Sequence, residues 1–114
     1  PTRHGWLATT FGPESEYGFE LGGLAHVDLD KGTEDVWDPG ANLRAGEGFF
    51  VPAGETAPEG EGWVLTYIWD RTTDTSSLAI FDAQAVAEGP VAQVHLGVRV
   101  PFGFHGWWVD ESLL

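Results

Sequence analysis

The sequence predicts an all-β fold of short antiparallel strands, and three observations predict it. No segment sustains an apolar repeat of 3.6 residues, so nothing reads as an amphipathic helix. Short runs rich in Val, Thr, Trp, Tyr and Phe are separated by Gly, Pro, Asp and Asn clusters at near-regular spacing, the pattern of strands and hairpins. Two stretches of similar design follow one another: LAHVDLD with TEDVWD, then WVLTYIWD with SLAIFDA. Repetition at that scale is how propeller blades read, although a sandwich can carry it too.

Taken in order, Thr2 to Thr10 is the first strand, on its threonine and aromatic content. Phe11 to Gly23 is loaded with glycine and glutamate and reads as a long, mobile loop. Leu24 to Asp30 alternates. Ala25, Val27 and Leu29 form the apolar set, so His26 and Asp28 are expected on the wet face. Lys31-Gly32 supplies a tight hairpin turn, with glycine free to take positive φ. Thr33 to Trp37 returns as the partner strand and Asp38-Pro39-Gly40 ends it. Ala41 to Glu47 reads as irregular. Glu47 to Pro52 is a short apolar strand led by an acid, and Ala53 to Gly62 is a surface loop. Trp63 to Asp70 is apolar on both faces and is expected to be buried on both. Arg71 to Ser76 is a polar turn and Ser77 to Asp82 the antiparallel partner. Gln84 to Pro90 connects to a strand over Val91 to Val98, where His95 falls with the polar set and is expected at the surface.

Composition narrows the function classes. A chain of 114 residues fits one domain or part of one. Its 18 acids against 5 bases give a net charge of -13, which argues against a nucleic-acid partner and against polybasic contact with anionic lipid. Cysteine is absent, so neither a disulfide nor a thiolate metal site can form; that suits a reducing cytosol, and a cytoplasmic location is the expectation. No apolar run approaches the ~20 residues of a membrane-spanning helix. Methionine is absent and the chain opens at Pro1, which reads as a processed chain or a piece of a larger one.

The stretch around which the chemistry gathers is Pro101 to Val109, PFGFHGWWV. It ends an apolar, strand-like run and holds a single histidine between Phe104 and Gly106. On the residues alone two readings stand: a packed, hydrogen-bonded histidine, or a metal ligand, since imidazole is a common ligand but needs partners. Glu47 likewise reads as a surface acid at a strand start or as a carboxylate partner for an imidazole. Gly103 and Gly106 read as tight packing or a bulge. Phe102, Phe104, Trp107 and Trp108 read as packing residues. His4 has no metal-spaced partner and reads as structural. No Gly-x-Ser-x-Gly, phosphate loop or His-Glu-x-x-His competes with these.

Four stretches together carry a resemblance: EGFFVP, GWVLTYIWD, SLAIFDAQ and VPFGFHGWW. In order and spacing the chain resembles the C-terminal part of a carotenoid cleavage oxygenase, the family of the lignostilbene dioxygenases and the retinal-pigment-epithelium isomerase. The similarity runs from about Arg3 to Val109. The resemblance implies a seven-bladed β-propeller, of which residues 1–114 would form about the last two blades of a single domain. It implies one iron(II), Fe(II), held by four histidines on the propeller axis. The last of them matches His105; a glutamate that orients an iron histidine matches Glu47; the other three histidines would lie upstream of Pro1. It implies oxidative cleavage of a carbon–carbon double bond, with O2 and an apolar polyene or stilbene as partners, and makes Phe102 and Phe104 candidates for the wall of a substrate tunnel.

Two departures carry expectations. Gly48 stands where the family usually has proline, which predicts a looser backbone at Glu47. Trp107 stands where a smaller residue is usual, which predicts tighter local packing. With one ligand histidine the chain alone is expected to be inactive, and with open sheet edges to self-associate. The competing reading is a small all-β binding module with His105 buried and metal-free.

Overall fold

A computed structural model describes residues 1–10 and 21–114, and the chain is all-β as the pattern predicts. The expected loop over Phe11 to Gly23 lies mostly outside the described residues. Two antiparallel sheets form. The first has the order β1 (His4–Thr9), β2 (Gly23–Asp28), β3 (Thr33–Trp37). The second has the order β4 (Leu43–Ala45), β6 (Gly62–Asp70), β7 (Thr75–Asp82), β8 (Ala92–His95), with β5 (Phe49–Pro52) also paired to β6. Single 3-10 turns cover Val86–Glu88 and Glu111–Leu113. The two stretches of similar design are the β2–β3 and β6–β7 hairpins, one in each sheet. Gly32 takes φ +64 in the first hairpin turn, as Lys31-Gly32 predicts.

The sheets meet through one apolar cluster. Leu24 comes from the first sheet; Ala45, Val64, Ile68, Ala79 and Phe81 come from the second; Ala83 and Val86 follow β7. Trp6, Trp37 and Phe50 flank it, with the Trp37 and Phe81 rings edge-to-face at 5.0 Å. Hydrogen bonds cross at this seam: Trp6 Nε1 donates to the Ala83 carbonyl at 2.8 Å, and Ala45 N–H donates to the Gly22 carbonyl at 3.1 Å.

Several expectations are corrected. The predicted wet face of β2 is buried. Leu24, His26 and Asp28 are covered, with Trp37 opposite Leu24, Trp6 opposite His26 and His4 opposite Asp28, and Ala25 of the predicted apolar set is buried as well. Leu29 lies beyond the strand and is exposed. Strand β6 is not buried on both faces: Val64, Thr66 and Ile68 pack inward, while Trp63 and Tyr67 are 42% and 47% exposed on the other side. That outer face is apolar by sequence, and nothing among the described residues covers it fully. Ala41 to Glu47 is not wholly irregular, since Leu43–Ala45 pairs with β6. Strand β8 is shorter than Val91 to Val98 and exposed throughout; His95 is at the surface as expected, bonded to Ser77 Oγ at 2.9 Å. Pro101 to Val109 forms no strand.

Candidate metal-ligand site

The site begins at an interruption in a sheet edge. Strands β4 and β5 both pair with β6, at opposite ends of it, and residues 46–48 lie between them. The sheet is kept continuous there by Gly46, whose N–H donates to the Tyr67 carbonyl at 2.9 Å and whose carbonyl accepts from Thr66 Oγ1 at 3.0 Å. At Gly48 the backbone dips onto the core: a Cβ there would stand 2.7 Å from Val64 Cγ1 and 3.0 Å from Leu24 Cδ1. The expected looseness at Gly48 is thus corrected. The position is tightly packed, and a residue without a side chain is what lets the backbone approach so closely. Glu47, one residue earlier, is left 42% exposed.

His105 reaches Glu47 from the segment after β8. That segment is not a strand, but it is tied down. Leu96 N–H donates to the Ser76 carbonyl, Ser76 N–H to the Val98 carbonyl, and Val100 N–H to Ser76 Oγ. Gly106 lies on the ring of Phe49, where an added Cβ would come within 3.0 Å of Cδ1. Trp108 shares an apolar groove of about 350 Å³ with Val51, Trp63, Leu65, Ile80 and Val91. Between these ties the His105 Nδ1–H donates to Glu47 Oε2 at 2.6 Å. The distance is that of a short, charge-assisted hydrogen bond. It commits Nδ1 and leaves Nε2 as the nitrogen for a metal, the arrangement in which a carboxylate fixes the tautomer and raises ligand basicity. In kind, therefore, the pair fits a metal histidine and its orienting acid. In number it does not make a site alone: among the described residues no cluster of three or more His, Cys, Asp or Glu could hold a metal.

Other expectations fall differently. The His105 side chain is 86% exposed, so it is not the buried histidine of the competing reading. Phe102 packs edge-on against Trp69 at 5.9 Å, whereas Phe104 is 89% exposed. Trp107 tightens nothing, being exposed, and no atom stands within 4 Å of a Cβ at Gly103.

Sequence reasoning missed a second imidazole cluster. His4 Nδ1 and His26 Nε2 lie 3.0 Å apart, both buried, and the Trp6 ring stacks on His26 and on Phe50. Burial, then the neighbouring His4, hold His26 below its ordinary pKa. Beside it Arg3 donates twice to the Asp28 carboxylate, at 2.9 and 2.8 Å, and that pairing keeps Asp28 far below the usual carboxylate range. The β1–β2 register was the signal: it sets His4 opposite Asp28 and Trp6 opposite His26.

Comparison with known proteins places the chain. The family described as Retinal pigment epithelial membrane protein matches residues 1–110. The chain belongs to this family, the carotenoid cleavage oxygenases. It is 33% identical over 122 aligned positions to lignostilbene-alpha,beta-dioxygenase isozyme III of Sphingomonas paucimobilis, covering all of this chain and 25% of that protein. It is 39% identical over 92 residues to a chloroplastic 9-cis-epoxycarotenoid dioxygenase of Arabidopsis thaliana, covering 81% of this chain and 15% of the relative. Isoeugenol monooxygenase of Pseudomonas nitroreducens is 36% identical over 98 residues, covering 86% and 20%. The chain thus spans a quarter or less of the length of these relatives. Its fold matches the crystal structure of Pseudomonas brassicacearum lignostilbene dioxygenase with a TM-score of 0.86 at 27% identity, over 96% of this chain and 24% of that one. Synechocystis apocarotenoid oxygenase matches at 0.82 and 30% identity, over 96% and 22%. The all-β expectation and the propeller-type family architecture both hold.

Proposed function

We propose that this chain supplies His105 as one ligand of an iron(II) centre, and Glu47 as the acid that orients it, in an oxygenase that cleaves a carbon–carbon double bond of a carotenoid, apocarotenoid or stilbene. The observation that carries the reading is the 2.6 Å contact between Nδ1 and the Glu47 carboxylate, which leaves the opposite ring nitrogen for the metal. The cleavage activities for which the relatives are named supply the reaction class. Iron(II) held by neutral imidazoles would bind and activate dioxygen there.

The residues of this chain have limited tasks in that reaction. Glu47 holds the His105 ring in one tautomer and one orientation. Gly48 and Gly46 hold Glu47 by fixing the backbone on either side of it. Phe104, exposed one residue before the ligand, remains the candidate for contact with an apolar substrate, whereas Phe102 is occupied by Trp69. The remaining three histidines belong to the part of the family fold that this chain does not span.

The test uses the whole protein encoded by the reading frame that contains this chain. One iron per chain is expected, lost in His105→Ala together with cleavage of a stilbene or apocarotenoid. Full iron content and activity in His105→Ala would overturn the reading in favour of a metal-free β module.

A further inference from the structure

We propose that Arg99 is a positioning residue for His105, acting through Phe102 and Trp69. Among the described residues no strand pairing guides the chain after β8, so the placement of His105 depends on side-chain anchors. The last backbone tie before it is Val100 N–H to Ser76 Oγ. From there to His105 the chain passes Gly103, which stands in open space, and Phe104, which is exposed. Phe102, although 59% exposed, is the residue of this span whose ring meets partners among the described residues. Its ring meets Trp69 edge-on, and the Arg99 guanidinium lies 4.8 Å from the Trp69 centroid and 5.8 Å from the Phe102 centroid. Both distances are within cation–π range.

The anchor is itself anchored. Asp74 accepts from Trp69 Nε1 at 2.9 Å and lies 3.7 Å from Arg99 Nη1. One turn residue thus holds the indole in plane and the guanidinium over it. His105 stands three positions after Phe102, a reach of roughly 10 Å when extended. An unanchored segment of that reach can carry the imidazole off Glu47. With Phe102 held on one side and Gly106 seated on Phe49 on the other, the ring is confined between two fixed points. Arg71 also lies over the Trp69 ring, at 5.8 Å against 4.8 Å for Arg99, and stands in sequence away from the span that leads to His105, so it serves as the comparison.

The consequence for the metal rests on His105 being its ligand; the effect on the Glu47 hydrogen bond does not. The experiment uses the whole protein, labelled with nitrogen-15 at histidine and loaded with zinc as a diamagnetic substitute for iron. His105 is assigned from the signal missing in His105→Gln. Its Nδ1 proton, held by Glu47, is expected at low field and slow to exchange. In Arg99→Ala it should move upfield and exchange faster, with zinc affinity lowered by up to about tenfold. Arg99→Lys, which keeps a cation over the ring, should restore part of both, and Phe102→Leu should reproduce the loss. Arg71→Ala should leave the proton unmoved. An unchanged Nδ1 proton in Arg99→Ala and Phe102→Leu overturns the proposal, as does equal loss in Arg71→Ala. Unchanged zinc affinity in His105→Gln would instead sink the ligand reading and leave the effect of Arg99 on the hydrogen bond to be read separately.

Discussion

Glu47 and His105 are 58 positions apart in the chain and meet at 2.6 Å, across a break in one edge of the second sheet. The break is what makes the meeting possible. A continuous strand would have carried residue 47 into regular pairing with β6. Instead Gly46 and Gly48 hold the backbone to Tyr67, Thr66 and the core, and the acid between them is free to accept from an imidazole.

That relationship predicts a graded response at Glu47. Glu47→Gln keeps an acceptor but removes the charge, so metal affinity of the whole protein should fall about tenfold. Glu47→Ala removes the acceptor too, and the loss should approach about a hundredfold. Chelator competition measures both. Equal affinity in wild type and Glu47→Ala would show that the carboxylate does not orient a ligand.

Gly48 should tolerate no side chain. A methyl group there would meet Val64 Cγ1 at 2.7 Å, so Gly48→Ala should cost about 1–3 kcal/mol through overpacking. At Gly46 the nearest atom is at 3.7 Å, ordinary contact, so Gly46→Ala is the matched control and should cost clearly less. Urea unfolding at constant m-value separates the two.

The buried imidazole pair gives a pH dependence. His26 faces His4, with Asp28 and Asp35 nearby and Glu59 accepting from the backbone of His4. Its folded pKa lies below the unfolded value near 6.5, so the folded state binds the proton less readily. Stability is fully present above that value and is lost as pH falls from it through the folded pKa. The slope is at most about 1.4 kcal/mol per pH unit for one proton. Asp28, depressed by Arg3, adds a loss that begins as pH falls through the ordinary carboxylate range, where the unfolded chain takes up the proton first. Denaturation midpoints between pH 7 and 5 should therefore decline in wild type and flatten in His26→Gln. A flat wild-type profile would count against burial holding His26 below its ordinary pKa.

How much of this could be read in advance follows from what each signal depends on. The hairpins β2–β3 and β6–β7 were legible because turn residues and strand composition are local. Glu47 and His105 were legible as partners through resemblance to a family, not through spacing. Which face of β2 turns inward was not legible. His26 and Asp28 look wet by residue type, but the register sets Trp6 opposite His26 and His4 opposite Asp28, and those neighbours cover them. Partners in other strands likewise satisfy the polar groups so buried: His4 takes His26, and Arg3 takes Asp28. The outer face of β6 misled for the opposite reason. Trp63, Leu65 and Tyr67 are apolar, but the residues described here leave much of that face uncovered.

That uncovered face carries the last prediction. Trp63 and Tyr67 on β6 and Val94 on β8 are exposed on a sheet bordered by open edges, and the neighbouring groove is lined by apolar side chains. Apolar patches of this kind mark association surfaces, and unpaired strand edges add backbone donors and acceptors to the same region. The net charge of -13 opposes close approach of two copies, but its repulsion is screened within about 8 Å at physiological salt while contact of apolar surface is not. The 114-residue chain by itself should therefore self-associate at physiological salt, and do so less at low ionic strength. Val94→Lys, which adds a charge to an edge strand, should reduce association without touching the core. Light scattering showing a clean monomer across salt concentrations would mean that this face is not sticky enough to need a covering.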